Sequence, residues 1–157
     1  MNHRSLYRTA VLALSALGSL TGHETGDYLV QSDCDAQRKQ QRTPDGRRSL
    51  ARHAVSYAAT QAATRAALYR TAGLRVPALA QLAGAVVEGA VHAAIDDGWA
   101  LAKFADVSGK RGFHDLNTGG INGRALMDQA AHKGLQVPVG AVVTTVVAAA
   151  VRRHGTN

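Results

Sequence analysis

Stretches rich in apolar and small residues alternate along this chain with short segments rich in charge or glycine, and the alternation predicts about five helices. The first spans roughly Ser5 to Asp33 and includes the apolar run Thr9–Leu20. Ala36 to Arg48 reads as a basic connector in which Pro44-Asp45-Gly46 supplies a turn. An alanine-rich second helix is expected over Ser49–Ala72, stopped by Gly73, and Pro77 suits the first turn of a third that runs to about Ala105. Gly84 and Gly89 would let that helix approach a neighbour closely. Gly109, Gly112, Gly119, Gly120 and Gly123 mark residues 106–123 as an irregular excursion. A short helix over Arg124–Lys133 should end at Gly134, and Pro138 should open a last one through Arg152. No repeat of fixed period is evident. The β-branched run Val137–Val147 leaves one local ambiguity between helix and strand. The expected fold is all-α, a compact, membrane-associated bundle of about four to five helices forming a single domain over residues 1–157.

Composition sharpens the picture. Of 157 residues, 46% are apolar but only 4% aromatic, so the interior has to be built from closely packed small side chains. The 18 residues Gly134–Val151 carry no charge and are flanked by Lys133 and by Arg152 and Arg153, which suits a spanning helix of minimal length with snorkelling ends. Arg4 and Arg8 before Thr9–Leu20 resemble a signal peptide, but no small-residue cleavage site follows. A mean hydropathy of −0.11 pulls against full membrane embedding. Cys34 is the sole cysteine, which excludes an intrachain disulfide and any cysteine-based metal cluster. The net charge of +7 favours polyanionic neighbours, lipid headgroups or nucleic acid.

The informative chemistry is the placement of histidine and aspartate within apolar helical segments. His23 and Asp27 are four residues apart, as are His92 and Asp96, and Asp128 and His132 repeat the interval in reverse. Residues four apart share a helical face, so each pair can present an imidazole and a carboxylate to one point. His53 adds a further helix with Tyr57 and Gln61 following on its face, and Gln31 extends the face of His23 and Asp27 by one turn. Such a set suits zinc, manganese or iron(II), with more carboxylate shifting the preference toward manganese or magnesium. The plainer alternative is that each pair hydrogen-bonds only within itself and holds the helices in register.

The string His23-Glu24-Thr25-Gly26-Asp27-Tyr28-Leu29-Val30-Gln31-Ser32-Asp33, with Lys39 downstream, resembles the opening signature of a bacterial and phage family of small helical membrane proteins whose domain has no settled activity. His53, the His92/Asp96 pair and Asp128-Gln129 with His132 match, in order, the family's remaining polar positions. The resemblance covers about residues 9–151 and extends more distantly to membrane-bound metal-dependent hydrolases. It implies a location at the bacterial inner membrane, with the cytoplasm as the alternative.

The leading expectation is therefore a membrane-associated protein in which His23, Asp27, His53, His92, Asp96, Asp128 and His132 bind a divalent metal ion, supported by Gln31, Tyr57 and Gln129. As an enzyme it would be a metal-dependent hydrolase, with Asp27 or Asp96 as general base. Lys39, Lys110 and Arg111 would attract an anionic small molecule. The second expectation, from a different class, is a non-catalytic phage or plasmid accessory protein whose basic run Arg38–Arg52 binds membrane lipid or, less favoured, nucleic acid. Homo-oligomerisation is left open.

Overall fold

The computed structural model describes residues 2–154, so the single-domain expectation extends past the described residues at both ends. The all-α expectation holds. Asn2 caps α1 (His3–Thr25) by accepting from the Ser5 backbone N–H, and the helix runs on into a π-helical turn, Gly26–Val30. The chain turns at Gln31, and Ser32 caps a short α2 (Asp33–Arg38). Thr43 caps α3 (Pro44–Thr71). Pro44-Asp45-Gly46 is thus the first turn of a helix and not a free-standing turn, because proline there gives up only an N–H that has no helical partner.

The expected third helix is two. α4 (Ala78–Asp96) is separated from α5 (Trp99–Val107) by Gly98, whose φ of +76° lies in the left-handed region. The glycine-rich excursion contains α6 (Arg111–His114) and a minimal hairpin of β1 (Asn117–Thr118) and β2 (Ile121–Asn122), closed by Gly119-Gly120 at positive φ. The break expected at Gly134 and Pro138 does not occur. α7 (Gly123–Ala131) passes through a second π-helical turn, His132–Gln136, straight into α8 (Val137–His154). The Val137 N–H reaches back to the His132 carbonyl, and this wider turn falls just before the residue whose missing N–H would interrupt an α-helical ladder.

α1 and α4 each pack against both α3 and α8, closing a four-helix bundle in up-down-up-down order. Glycine sets the closest approaches. A Cβ on Gly18 would lie 2.9 Å from the Arg65 Cα, and one on Gly22 would lie 2.6 Å from the Gln61 Cα, so the α1 and α3 backbones meet along that row. Gly84 leaves room for Thr144 in the same way, whereas Gly89 has only an ordinary contact with Ala58.

The bundle is apolar outside and polar within. A small apolar core of Val11, Tyr69, Val76, Ala80 and Ala148 fills the end bearing the termini. The rest of the axis is lined by buried Ser15, Ser19, Gln61, Arg65, Glu88, His92 and Gln136. Outward face Leu12, Leu17 and Leu20 on α1, Val55 on α3, Leu79, Leu82 and Val86 on α4, and Val142 and Val146 on α8. No exposed charged side chain lies between Arg8 and Glu24, Arg52 and Arg70, Arg75 and Asp97, or Lys133 and Arg152, because Arg65, Glu88 and Asp96 all point inward. Among the described residues, α4 and the continuous helix Gly123–Arg153 are long and apolar enough to cross a membrane. Only 28% and 39% of their most apolar stretches are buried within the bundle.

Candidate metal centre

At the end of the bundle away from the termini, α1 gives way to its π turn, α3 begins, α4 ends and α7 passes into α8. All seven predicted metal ligands meet there. Their ligating atoms fall into groups within 4.8 Å of one another: His23, His92 and His132; Asp27, His53 and His92; Asp96, Asp128 and His132. Both π turns lie at this site. One carries Asp27, the other carries His132 and Gln136, and a π turn re-aims the side chains that flank it.

The closest approaches bring imidazole nitrogens and carboxylate oxygens from four helices to one point. The His53 and His92 Nε2 atoms are 2.9 Å apart. Asp96 Oδ2 lies 2.9 Å from His53 Nε2 and 3.0 Å from His92 Nε2, while Asp27 Oδ1 lies 3.4 and 3.8 Å from the same nitrogens. On the other side, His132 Nε2 is 3.4 Å from Asp96 Oδ1 and 3.5 Å from Asp128 Oδ2. His23 Nδ1 is 3.5 Å from Asp27 Oδ2. Donors bound to one ion at about 2.0–2.2 Å stand roughly 2.9–3.5 Å apart, the spacing seen here. His23 Nδ1, Asp27 Oδ1, Asp96 Oδ2, Asp128 Oδ1 and His132 Nε2 are buried with no hydrogen-bond partner of proper geometry, an arrangement that is costly unless something else satisfies them.

Surrounding amides choose the tautomers of His23, His92 and His132, whereas Nδ1 of His53 has no partner. The Gln136 Oε1 accepts from Nδ1 of His92 at 3.1 Å and also from Nδ1 of His132, while its amide nitrogen donates to the Tyr57 hydroxyl and to Glu88. A carboxylate can only accept, so the orientation of the Gln136 amide is fixed and both histidines turn lone pairs on Nε2 toward the cluster. Gln129 Oε1 accepts from His23 Nε2 at 3.1 Å, which leaves Nδ1 of His23 free to ligate. Tyr57 stacks on the His92 ring with centroids 3.6 Å apart. Gln31 sits at the kink after the first π turn with its amide nitrogen unpartnered.

The rim is formed by the Asp128, Lys39 and Asp27 side chains, 17%, 12% and 6% exposed, whereas His23, His53, His92, Asp96 and His132 are sealed. Lys39 Nζ donates to Asp96 Oδ1 at 2.7 Å. Asp27 lies beyond the charge-free part of α1. Burial alone would raise its carboxyl pKa, but the neighbouring imidazoles of His53, His92 and His23 outweigh it and hold the carboxyl below its usual range. Lys110 and Arg111 sit on the exposed excursion, where Arg111 pairs with Asp106 and Asp115. No contact among the described residues joins either cation to the cluster.

Two contributors are absent from the sequence-level reading. Gln136 supports His92 and His132 from below, and Glu88 lies one layer deeper, accepting from Ser19 at 2.9 Å and from Tyr57 and Arg65 at 3.3 Å each. Both obey the interval that revealed the others, since Gln136 is four residues after His132 and Glu88 four before His92. Four of the six cations in the basic run Arg38–Arg52 meet carboxylates of the chain. Lys39 pairs with Asp96, Arg42 with Asp97, Arg48 with Asp45 and Arg52 with Asp35. The Arg52 guanidinium beside Asp35 holds that carboxyl below its usual range. Comparison of the chain with protein-family models, with curated proteins and with solved structures gives no match.

Proposed function

We propose that this chain is a membrane-embedded metal-binding protein of the bacterial cytoplasmic membrane, and that its chemistry is metal-assisted hydrolysis of an anionic substrate. The observation that carries the metal reading is the set of buried, unpartnered lone pairs on His23, Asp27, Asp96, Asp128 and His132, converging at ligand spacing. Four imidazoles with three carboxylates favour zinc, manganese or iron(II) over magnesium, which prefers an all-oxygen shell.

The membrane reading rests on the inverted exterior. The charge-free bands of the four long helices are roughly 22–30 Å long, at 1.5 Å per residue, close to the thickness of a bilayer's hydrocarbon core. Hydroxyls within the bands bond their own helix: Thr21 to the Leu17 carbonyl, Thr60 to that of Ser56 and Thr145 to that of Ala141, the behaviour expected where no water can serve them. Exposed Arg4, Arg8, Arg70 and Arg75 lie toward the end of the bundle opposite the cluster, cations suited to anionic headgroups. The low mean hydropathy comes from the polar axis and the end loops, and the outer bands remain apolar.

A bound ion would polarise a carbonyl or phosphoryl oxygen and lower the pKa of water. The chain supplies the rest. Asp27 at the rim is charged and partly accessible, so it suits a general base better than Asp96, which is fully buried between Lys39 and the imidazoles of His53, His92 and His132. Lys39 would meet the substrate's negative charge. The accessory-protein alternative loses support because Lys39, Arg42, Arg48 and Arg52 are already paired with the chain's own carboxylates.

Calorimetric titration of metal-stripped protein in detergent with zinc tests the proposal. Saturable binding is expected, abolished in His92→Ala; a flat titration contradicts it. For catalysis, metal-dependent turnover of a chromogenic phosphodiester should fall at least tenfold in Asp27→Asn; turnover unchanged by that substitution removes Asp27 from the chemistry.

A further inference from the structure

Seven ligating side chains are more than one ion of this class takes, since zinc takes about four and manganese about six. They also divide. The groups Asp27, His53, His92 and Asp96, Asp128, His132 share no residue, and the Asp96 carboxylate stands between them, its Oδ2 facing His53 and His92 and its Oδ1 facing His132. We propose that the cluster holds two divalent ions bridged by Asp96, one bound by Asp27, His53, His92 and Asp96 Oδ2, the other by Asp96 Oδ1, Asp128 and His132. The inference rests on the metal-binding reading and specifies its nuclearity.

Each half shows unsatisfied atoms of its own. Asp27 Oδ1 and Asp96 Oδ2 lack partners in the first, and Asp128 Oδ1 and His132 Nε2 in the second. A single ion at His53 and His92 would leave the second pair unsatisfied. A carboxylate that gives one oxygen to each ion sets a separation of about 3.5–4 Å, the spacing of two-metal hydrolytic sites. The second half already attracts positive charge, for the Lys39 ammonium lies 2.7 Å from Asp96 Oδ1. The ion there shares or takes over that oxygen and frees Lys39 toward the rim. His23 has a ligating atom within 4.8 Å of those on His92 and His132, placing it beside both ions. The support is also shared, since one amide oxygen, that of Gln136, orients a histidine in each half.

The test uses the full chain in detergent, stripped of metal, loaded with manganese(II) and desalted. Two ions per chain are expected by elemental analysis, with an exchange-coupled paramagnetic resonance spectrum. In His132→Ala the count should fall to one and the spectrum to that of an isolated ion, with helix content by circular dichroism unchanged; Asp128→Asn tests the same half if that variant does not fold. One ion per chain in the unsubstituted protein overturns the two-ion centre while the metal-binding reading stands. Two uncoupled ions overturn the Asp96 bridge, and no bound ion overturns both readings.

Discussion

Single residues in this protein matter mostly through the lone pairs they direct. Gln136 touches no ion in the proposed arrangement, yet it fixes the tautomers of His92 and His132. Gln136→Leu should therefore leave the bundle folded and weaken metal binding by roughly 10–100-fold, measured by competition with a chromogenic chelator. Acid should act through the imidazoles. Asp27 is held below its usual carboxyl range and stays ionised at mild acidity, so protons compete with the ion at the imidazole lone pairs as pH falls from about 7 to about 5. Metal release is expected over that window, accompanied by proton uptake; affinity constant from pH 7 to pH 5 would contradict imidazole ligation. The ligand set was legible in the sequence because three His/Asp pairs repeat a helical interval that survives folding. Lys39 was legible only as a charge near the mouth, because its bond to Asp96 joins residues far apart in the chain and no local pattern encodes it.

Elements were less legible than residues, and the misreadings share a cause. Proline and glycine read as punctuation in the sequence, but Pro44 begins α3 and the segment containing Gly134 and Pro138 lies within a continuous helical path. A π turn accommodates what an α-helical ladder would reject, and nothing in single-residue propensity announces it. Gly98 did act as a break, where the expected helix ran on to Ala105. Glycine along α1 has another task, since Gly22 lets that backbone meet α3. Gly22→Ala should destabilise the bundle by about 1–3 kcal/mol through overpacking. Gly89→Ala, which meets only an ordinary contact, should be neutral or stabilising by up to about 1 kcal/mol. Thermal unfolding of both variants in one detergent checks the contrast; equal effects would contradict the close α1–α3 approach.

At the scale of the whole molecule, composition concealed the organisation. An average over the chain mixes an apolar exterior with a polar axis and charged ends, so the mean hydropathy of −0.11 describes none of them. Only the three-dimensional assignment of faces separates these parts, and it turns Glu88, Arg65, His23, His53, His92 and His132 inward. Leu82, exposed on α4, is a sensitive probe of what surrounds the bundle. Leu82→Arg should impair membrane insertion by about 2.5–3.5 kcal/mol if lipid covers that face, whereas on a water-exposed face it should change stability by less than about 0.5 kcal/mol. Alkaline extraction of membranes, followed by quantitation of the retained protein, distinguishes the two. The central claim, that the inward-facing His and Asp side chains form a metal centre, is tested most directly by elemental analysis of the protein purified without chelators. At least one zinc, manganese or iron per chain is predicted, lost in the His92→Ala/Asp96→Ala double variant. A folded wild-type protein that carries no such metal and takes up none when it is supplied would contradict the account.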